Sequence, residues 1–120
     1  MISDSLPTRA PVHWSFDNRG LVTIQHEKSM GAFERFISKL FNAPKTISRP
    51  LDEMNTHLWL LMDGTHTLSQ IIIEMDNKFA EQVAPVSERI SMSISGFINL
   101  GLAVLIRSSE ELTWDVGRSN

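Results

Sequence analysis

Three observations predict an α+β fold in which a small antiparallel sheet is followed by three helices, a winged helix-turn-helix-like body. Residues 12–25 hold two runs of alternating apolar and polar side chains around the turn-forming Asp17-Asn18-Arg19-Gly20. Residues 52–101 hold three stretches in which apolar residues recur every three or four positions. Each of those stretches carries its own start or stop chemistry, and an apolar run at 102–106 follows the last.

In chain order, residues 1–11 are polar and interrupted by Pro7 and Pro11, and read as a loose lead-in. Val12, Trp14 and Phe16 alternate with His13 and Ser15, the period of a half-buried strand, and residues 21–25 return as its hairpin partner. At 29–41 the period changes. Met30, Phe33, Ile37, Leu40 and Phe41 share one helical face, with Glu34, Arg35, Ser38 and Lys39 opposite, until Asn42-Ala43-Pro44 stops the pattern. This amphipathic insertion is expected to cap the end of the core. Docking of its apolar face on a partner protein is the main alternative, and binding to a membrane surface has only two flanking basic residues behind it. Residues 45–49 form a short third strand with β-branched Thr46 and Ile47, and the proline that ends it suits an edge.

The first helix starts near Asp52, an N-cap residue, with Glu53 complementing the helix dipole. Met54, Leu58, Leu61 and Met62 make its apolar stripe, Trp59 widens it, and Gly64 caps its end. Thr67 stands three residues before Gln70, the spacing of a capping box, so a second helix begins there with Leu68, Ile71, Ile72, Met75 and Phe79 inward. Pro85 opens a third helix whose inward face is Val86, Ile90, Ile94, Phe97 and Ile98, ending at Gly101. Leu112, Trp114 and Val116 alternate again, which predicts a C-terminal hairpin with residues 102–106.

A length of 120 residues corresponds to one domain with a real core, here about 12–106. The chain has no cysteine, which excludes disulfides, thiolate nucleophiles and zinc–cysteine sites. Asp4 stands where a signal peptide would be basic, and the longest apolar run falls far short of the about 20 residues a membrane span needs. A cytoplasmic protein is expected. The net charge of −3 is unevenly spread. Residues 28–49 carry five basic side chains against Glu34, whereas residues 50–116 carry three basic against ten acidic.

No catalytic set is visible, and neither enzymatic activity nor a cofactor is expected. The four histidines, His13, His26, His57 and His66, never fall three or four apart, so no helical metal clip exists. Asp52-Glu53 is a helix start, Asp63-Gly64 a turn, and no Lys-Ser or Lys-Thr follows Gly96 or Gly101 to make a phosphate loop. Two binding classes remain. A winged-helix DNA-binding regulator would need Lys and Arg to meet phosphates, but residues 65–106 carry Lys78 and Arg89 against Glu74, Asp76, Glu81 and Glu88. Peptide capture by strand addition needs an open edge beside a helix, and residues 46–49 supply a candidate edge. Gly96 in the third helix would let a guest backbone approach or would simply relieve crowding. A structural subunit docking residues 30–41 on a larger enzyme is the third reading.

Pro50-Leu51-Asp52-Glu53, then Leu58-Trp59-Leu60-Leu61-Met62-Asp63-Gly64, then Thr67-Leu68 and Ile71 resemble the PqqD-like family, the small proteins named for pyrroloquinoline quinone biosynthesis protein D. Phe79, Val83-Ala84-Pro85-Val86, Glu88-Arg89-Ile90 and Gly101-Leu102 fit the same pattern, so the likeness spans about 46–106. Asn55 and Thr56 depart from it, standing where members often hold a pair of small residues. The resemblance implies a three-stranded sheet followed by three helices. It also implies a recognition element that holds the leader segment of a ribosomally made precursor peptide as an added strand, and presents it to a maturation enzyme such as a radical SAM protein. Carried over, the binding residues are Thr46, Ile47, Ser48 and Arg49 on the strand and Arg89, Met92, Ser93, Gly96 and Phe97 on the third helix. The expected partners are that peptide and that enzyme, without nucleic acid or membrane, and a homodimer is left open. Ile47→Pro is expected to abolish capture and spare the helical core.

Overall fold

The structure, a computed structural model, describes residues 3–27 and 46–119. It is α+β, with two antiparallel sheets and three helices. Strand β2 (His13–Phe16) pairs with β3 (Val22–Glu27), and β3 pairs with β4 (Thr46–Pro50). Helices α1 (Glu53–Leu61), α2 (Leu68–Phe79) and α3 (Val86–Asn99) follow. The amphipathic helix expected at 29–41 lies outside the described residues.

The helix signals of the sequence act as predicted. The Asp52 carboxylate accepts from the Asn55 N–H at 2.7 Å. Thr67 and Gln70 close a reciprocal capping box, with the Thr67 N–H donating to Gln70 Oε1 at 2.8 Å and the Gln70 N–H to Thr67 Oγ1 at 3.2 Å. Pro85 sits one residue earlier than expected, at the N-cap of α3. Gly64 takes φ +87°, a conformation that favours glycine, and a Cβ there would stand 2.9 Å from Leu112 Cδ2, so that side chain would also have to shift. At the centre of the core lies Trp59. It is fully buried, edge-on to Trp14 at 6.3 Å and tilted against Phe97 at 5.4 Å between ring centroids.

The amino-terminal segment corrects the sequence reading. Instead of a loose lead-in, residues Leu6–Arg9 form a fully buried strand, β1, antiparallel to β5 (Ala103–Ile106). The Ala10 N–H bonds to the Leu102 carbonyl at 2.9 Å, which places the bonded pairs of this ladder at even positions. Pro7 therefore falls where no donor to β5 is needed, and the strand tolerates it. Upstream, the Ser5 and Ser3 carbonyls accept from the Leu68 and Ser69 N–H groups, both at 2.9 Å, and so serve the first turn of α2.

The expected C-terminal hairpin does not form. After a short 3-10 turn at Ser109–Glu111, the chain runs back across β1 and β2 without strand pairing. Leu112, Trp114 and Val116 are half-buried and Thr113 and Asp115 exposed, so the alternation is real but arises from side-chain packing. Arg9 anchors this segment. Its guanidinium is buried, lies 5.1 Å from the Trp14 ring, and donates to Val116 O at 2.9 Å, Trp59 O at 2.7 Å and Leu60 O at 3.1 Å. The last two are carbonyls of the final turn of α1, where Trp59 O has only the Met62 N–H at 3.2 Å besides. Trp114 Nε1 donates to Arg9 O at 2.7 Å and Trp14 Nε1 to Val116 O at 3.1 Å. Burial lowers the Arg9 pKa from its ordinary value, and the charge of Asp63 partly opposes that.

The turn between α1 and α2 is held by Asp63. Its Oδ1 accepts from the Thr65 N–H at 3.0 Å, the Thr65 hydroxyl at 2.6 Å and His66 Nδ1 at 3.0 Å. Partial burial alone would raise this carboxyl, but the bonds from the Thr65 hydroxyl, the His66 ring and the Thr65 amide outweigh it and hold the pKa below the ordinary 3.8. A depressed folded-state pKa contributes stability that is present above 3.8 and lost as pH falls through the folded value. Urea unfolding of wild type and Asp63→Asn should therefore differ at neutral pH and converge in acid. A gap that persists below that range would assign the effect to geometry and not to charge.

Candidate functional site

Strand β4 is the outer strand of its sheet, and its ladder has a definite phase. Register sets Pro50 opposite Thr23, Arg49 opposite Ile24, Ser48 opposite Gln25 and Ile47 opposite His26. The Leu51 N–H bonds to Val22 O at 2.8 Å, marking 22 and 51 as a bonded pair. Alternation then makes 49 with 24 and 47 with 26 the next bonded pairs. The backbone groups of Arg49 and Ile47 turn toward β3, and those of Ser48 turn outward. Pro50 also falls on the outward phase, where its missing N–H costs the sheet nothing. Among the described residues no backbone group pairs with this outer edge.

This phase corrects the test expected from sequence. Proline at Ile47 would break a rung between β4 and β3 and so damage the sheet itself. The outward donors belong to Ser48 and Thr46, and Ser48 is the one at the centre of the strand.

Cross-strand partners share a face, so Arg49 and Ile47 lie on the side of the sheet that carries the buried Ile24. Between the end of β4, the start of α1 and helix α3 runs a concavity of about 450 Å³, lined by Arg49, Asp52 and Asn55 on one side and Ser93, Gly96, Phe97 and Leu100 on the other. Four residues expected at the site, Arg49, Ser93, Gly96 and Phe97, meet here. Gly96 relieves no crowding, since a Cβ built on it would have no atom within 4 Å. The wall of α3 is low at this point and the space beside it is open. Ile47 and Ser48 are exposed on the strand just beyond, and the side chain of Thr46 lies outside the described residues.

Arg89 and Met92 do not line the groove. Ser93, Gly96, Phe97 and Leu100 stand three and four apart on one helical stripe. Arg89 belongs to that stripe one turn earlier, but its Nη1 donates to Gln82 O at 2.9 Å. Met92 lies about 100° round the helix from Ser93 and is 74% exposed. The sequence reading missed Asn55 and Leu100 as lining residues. Asn55 carried a signal, being one of the two departures from the family pattern. The other, Thr56, is buried and accepts the Val22 N–H on its Oγ1 at 3.0 Å, which ends the β3 ladder.

Arg49 is electrostatically distinct. Its Nε is closed off from solvent and has no hydrogen-bond partner among the described residues, and no ion pair reaches its guanidinium there. The nearby Asp52 carboxylate is engaged in capping α1.

Two further concavities flank the molecule. One, of about 420 Å³, holds Arg19, Glu53, His57 and Lys78. There burial and then the charge of Lys78 lower the His57 pKa while Glu74 raises it, and the ring packs edge-on to Phe79 at 5.8 Å. The other, of about 360 Å³, is lined by His13, His26 and Leu100 among others. Among the described residues no three histidine or carboxylate side chains gather as a metal site, and no helix is long and apolar enough to cross a membrane. Comparison of the chain with protein-family profiles, with curated protein sequences and with solved structures returned no match.

Proposed function

We propose that this protein captures an extended peptide, which adds as a strand to the outer edge of β4 and rests against the wall of α3. The observation that carries the reading is the outward phase of Ser48 beside the open groove at Gly96. Backbone donors and acceptors of Ser48 and Thr46, and the carbonyl of Pro50, face away from the sheet, next to a helix face lowered by a missing side chain. The PqqD-like resemblance of residues 46–106 supplies the guest, the leader segment of a ribosomally made precursor, and the recipient, a maturation enzyme in the cytoplasm. In this role the protein does no chemistry of its own. It fixes the leader in register so that the remainder of the precursor reaches the enzyme. The DNA-binding alternative loses its best cation, because the Arg89 guanidinium is turned onto the Gln82 carbonyl.

Ser48→Pro is the direct test. It removes the central outward N–H and leaves the rungs at Ile47 and Arg49 intact. Displayed random linear peptides of about ten residues, long enough to cover a strand, serve as the probe. Peptides selected by the wild-type chain should bind Ser48→Pro at least about tenfold more weakly, with little change in thermal unfolding. In hydrogen exchange, peptide should slow the Ser48 amide, which is open in the free protein. Unchanged affinity of Ser48→Pro, or protection confined to another surface, would remove the assignment.

A further inference from the structure

We infer that the groove selects for a carboxylate, with Arg49 as its receptor, so that the guest is an acidic peptide. The inference rests on strand capture at β4 and adds to it the chemistry of the guest.

Among the described residues two arginine side chains are buried in part or whole, and they are provided for very differently. Arg9 places its donors on three carbonyls. Arg49 has a solvent-excluded Nε with no acceptor among the described residues, although it lies on a sheet face that looks into the groove. A buried donor without an acceptor is costly, and more so on a charged group. Asp52 lines the same groove and caps α1 through Oδ1, and no ion pair joins it to Arg49. The Nε itself is out of a guest's reach, but the Nη groups of this groove-lining side chain are not among the buried atoms, and a guest carboxylate would meet them through two parallel bonds, the geometry that favours arginine over lysine. Asn55 and Ser93 line the same groove and would add a side-chain amide and a hydroxyl. The sequence around the edge strand carries the matching bias, with five basic residues against one acidic over residues 28–49.

The ladder phase also fixes where the acid must stand. A guest residue bonded to Ser48 turns its side chain to the outer face, and its two neighbours turn theirs to the side of Arg49 and Ile47. The guest therefore carries Asp or Glu opposite Arg49 and, two positions away, an apolar residue opposite Ile47. Ile47 is 38% exposed and can cover such a side chain.

The test uses the full chain and the same displayed random peptides. The wild-type pool should be enriched in Asp or Glu two positions from an apolar residue. Arg49→Glu should select Lys or Arg at that position. In fluorescence anisotropy, an acidic peptide from the wild-type pool should bind Arg49→Gln about tenfold more weakly, the scale of one charge-assisted bond. Its Asn or Gln analogue should bind wild type and Arg49→Gln alike. A wild-type pool with no acidic enrichment, still lost in Ser48→Pro, would overturn the carboxylate receptor and leave capture standing. A pool in which nothing is selected by the wild-type chain would overturn both.

Discussion

Arg9→Ala should cost the fold about 4 kcal/mol, the largest loss expected from any polar residue in the molecule. Three carbonyls lose a charged donor at once. Two of them end α1, and the third, Val116 O, tethers the C-terminal segment. Alanine offers those oxygens nothing and opens a space between Trp14 and Trp59 through which water reaches them only in part. Arg9→Lys should recover little, because an ammonium on a flexible stem cannot span carbonyls from two separate segments. Urea denaturation measures the loss. Amide exchange localises it, since Ser119, whose N–H bonds to Trp14 O at 2.7 Å, should exchange freely in the variant. A loss under about 1 kcal/mol would mean that water satisfies these carbonyls and that Arg9 is ornamental to the fold.

Gly96 should separate stability from binding. Gly96→Ala should raise stability by about 0.5–1 kcal/mol, because alanine is the better helix former and its methyl meets nothing within 4 Å. The same methyl stands in the proposed path of the guest and should weaken capture. Gly96→Leu, which fills the groove beside Phe97, should abolish it. Opposite signs from one position are hard to obtain from a residue that serves only packing. If both variants bind displayed peptides as wild type does, the guest does not run along α3.

The helices were legible because their signals are local. Asp52, the Thr67–Gln70 pair and Gly101 act within a turn of where they stand, and the apolar stripes needed only periodicity. β1 was not legible, for its burial depends on Arg9 finding acceptors on residues 50 and more positions away. Nothing in Leu6-Pro7-Thr8-Arg9 announces that. The alternation at 112–116 was read correctly as one face in and one face out, yet alternation does not reveal whether a ladder exists. At the candidate site, Arg49, Ser93, Gly96 and Phe97 were placed by a resemblance and then brought together by the fold. Arg89 and Met92 stand outside the lining of this concavity, since a helix face read from sequence does not say how far along α3 the edge strand reaches. The phase of β4 was inaccessible from sequence, since it is set by the single bond from Leu51 to Val22.

The latch of the C-terminal segment on β2 has a consequence for assembly. Ser119 occupies the backbone of Trp14, donating its N–H to the carbonyl and accepting the Trp14 N–H on its Oγ at 3.0 Å. The three-stranded sheet is thus occupied at Trp14 on one flank and, among the described residues, open along β4 on the other. Fibre growth by edge-to-edge stacking requires each subunit to present two receptive flanks. With Trp14 occupied, copies of this sheet are steered toward a closed pair, β4 against β4, at which growth would stop. The segment that latches onto Trp14 thereby works against filament growth at that flank.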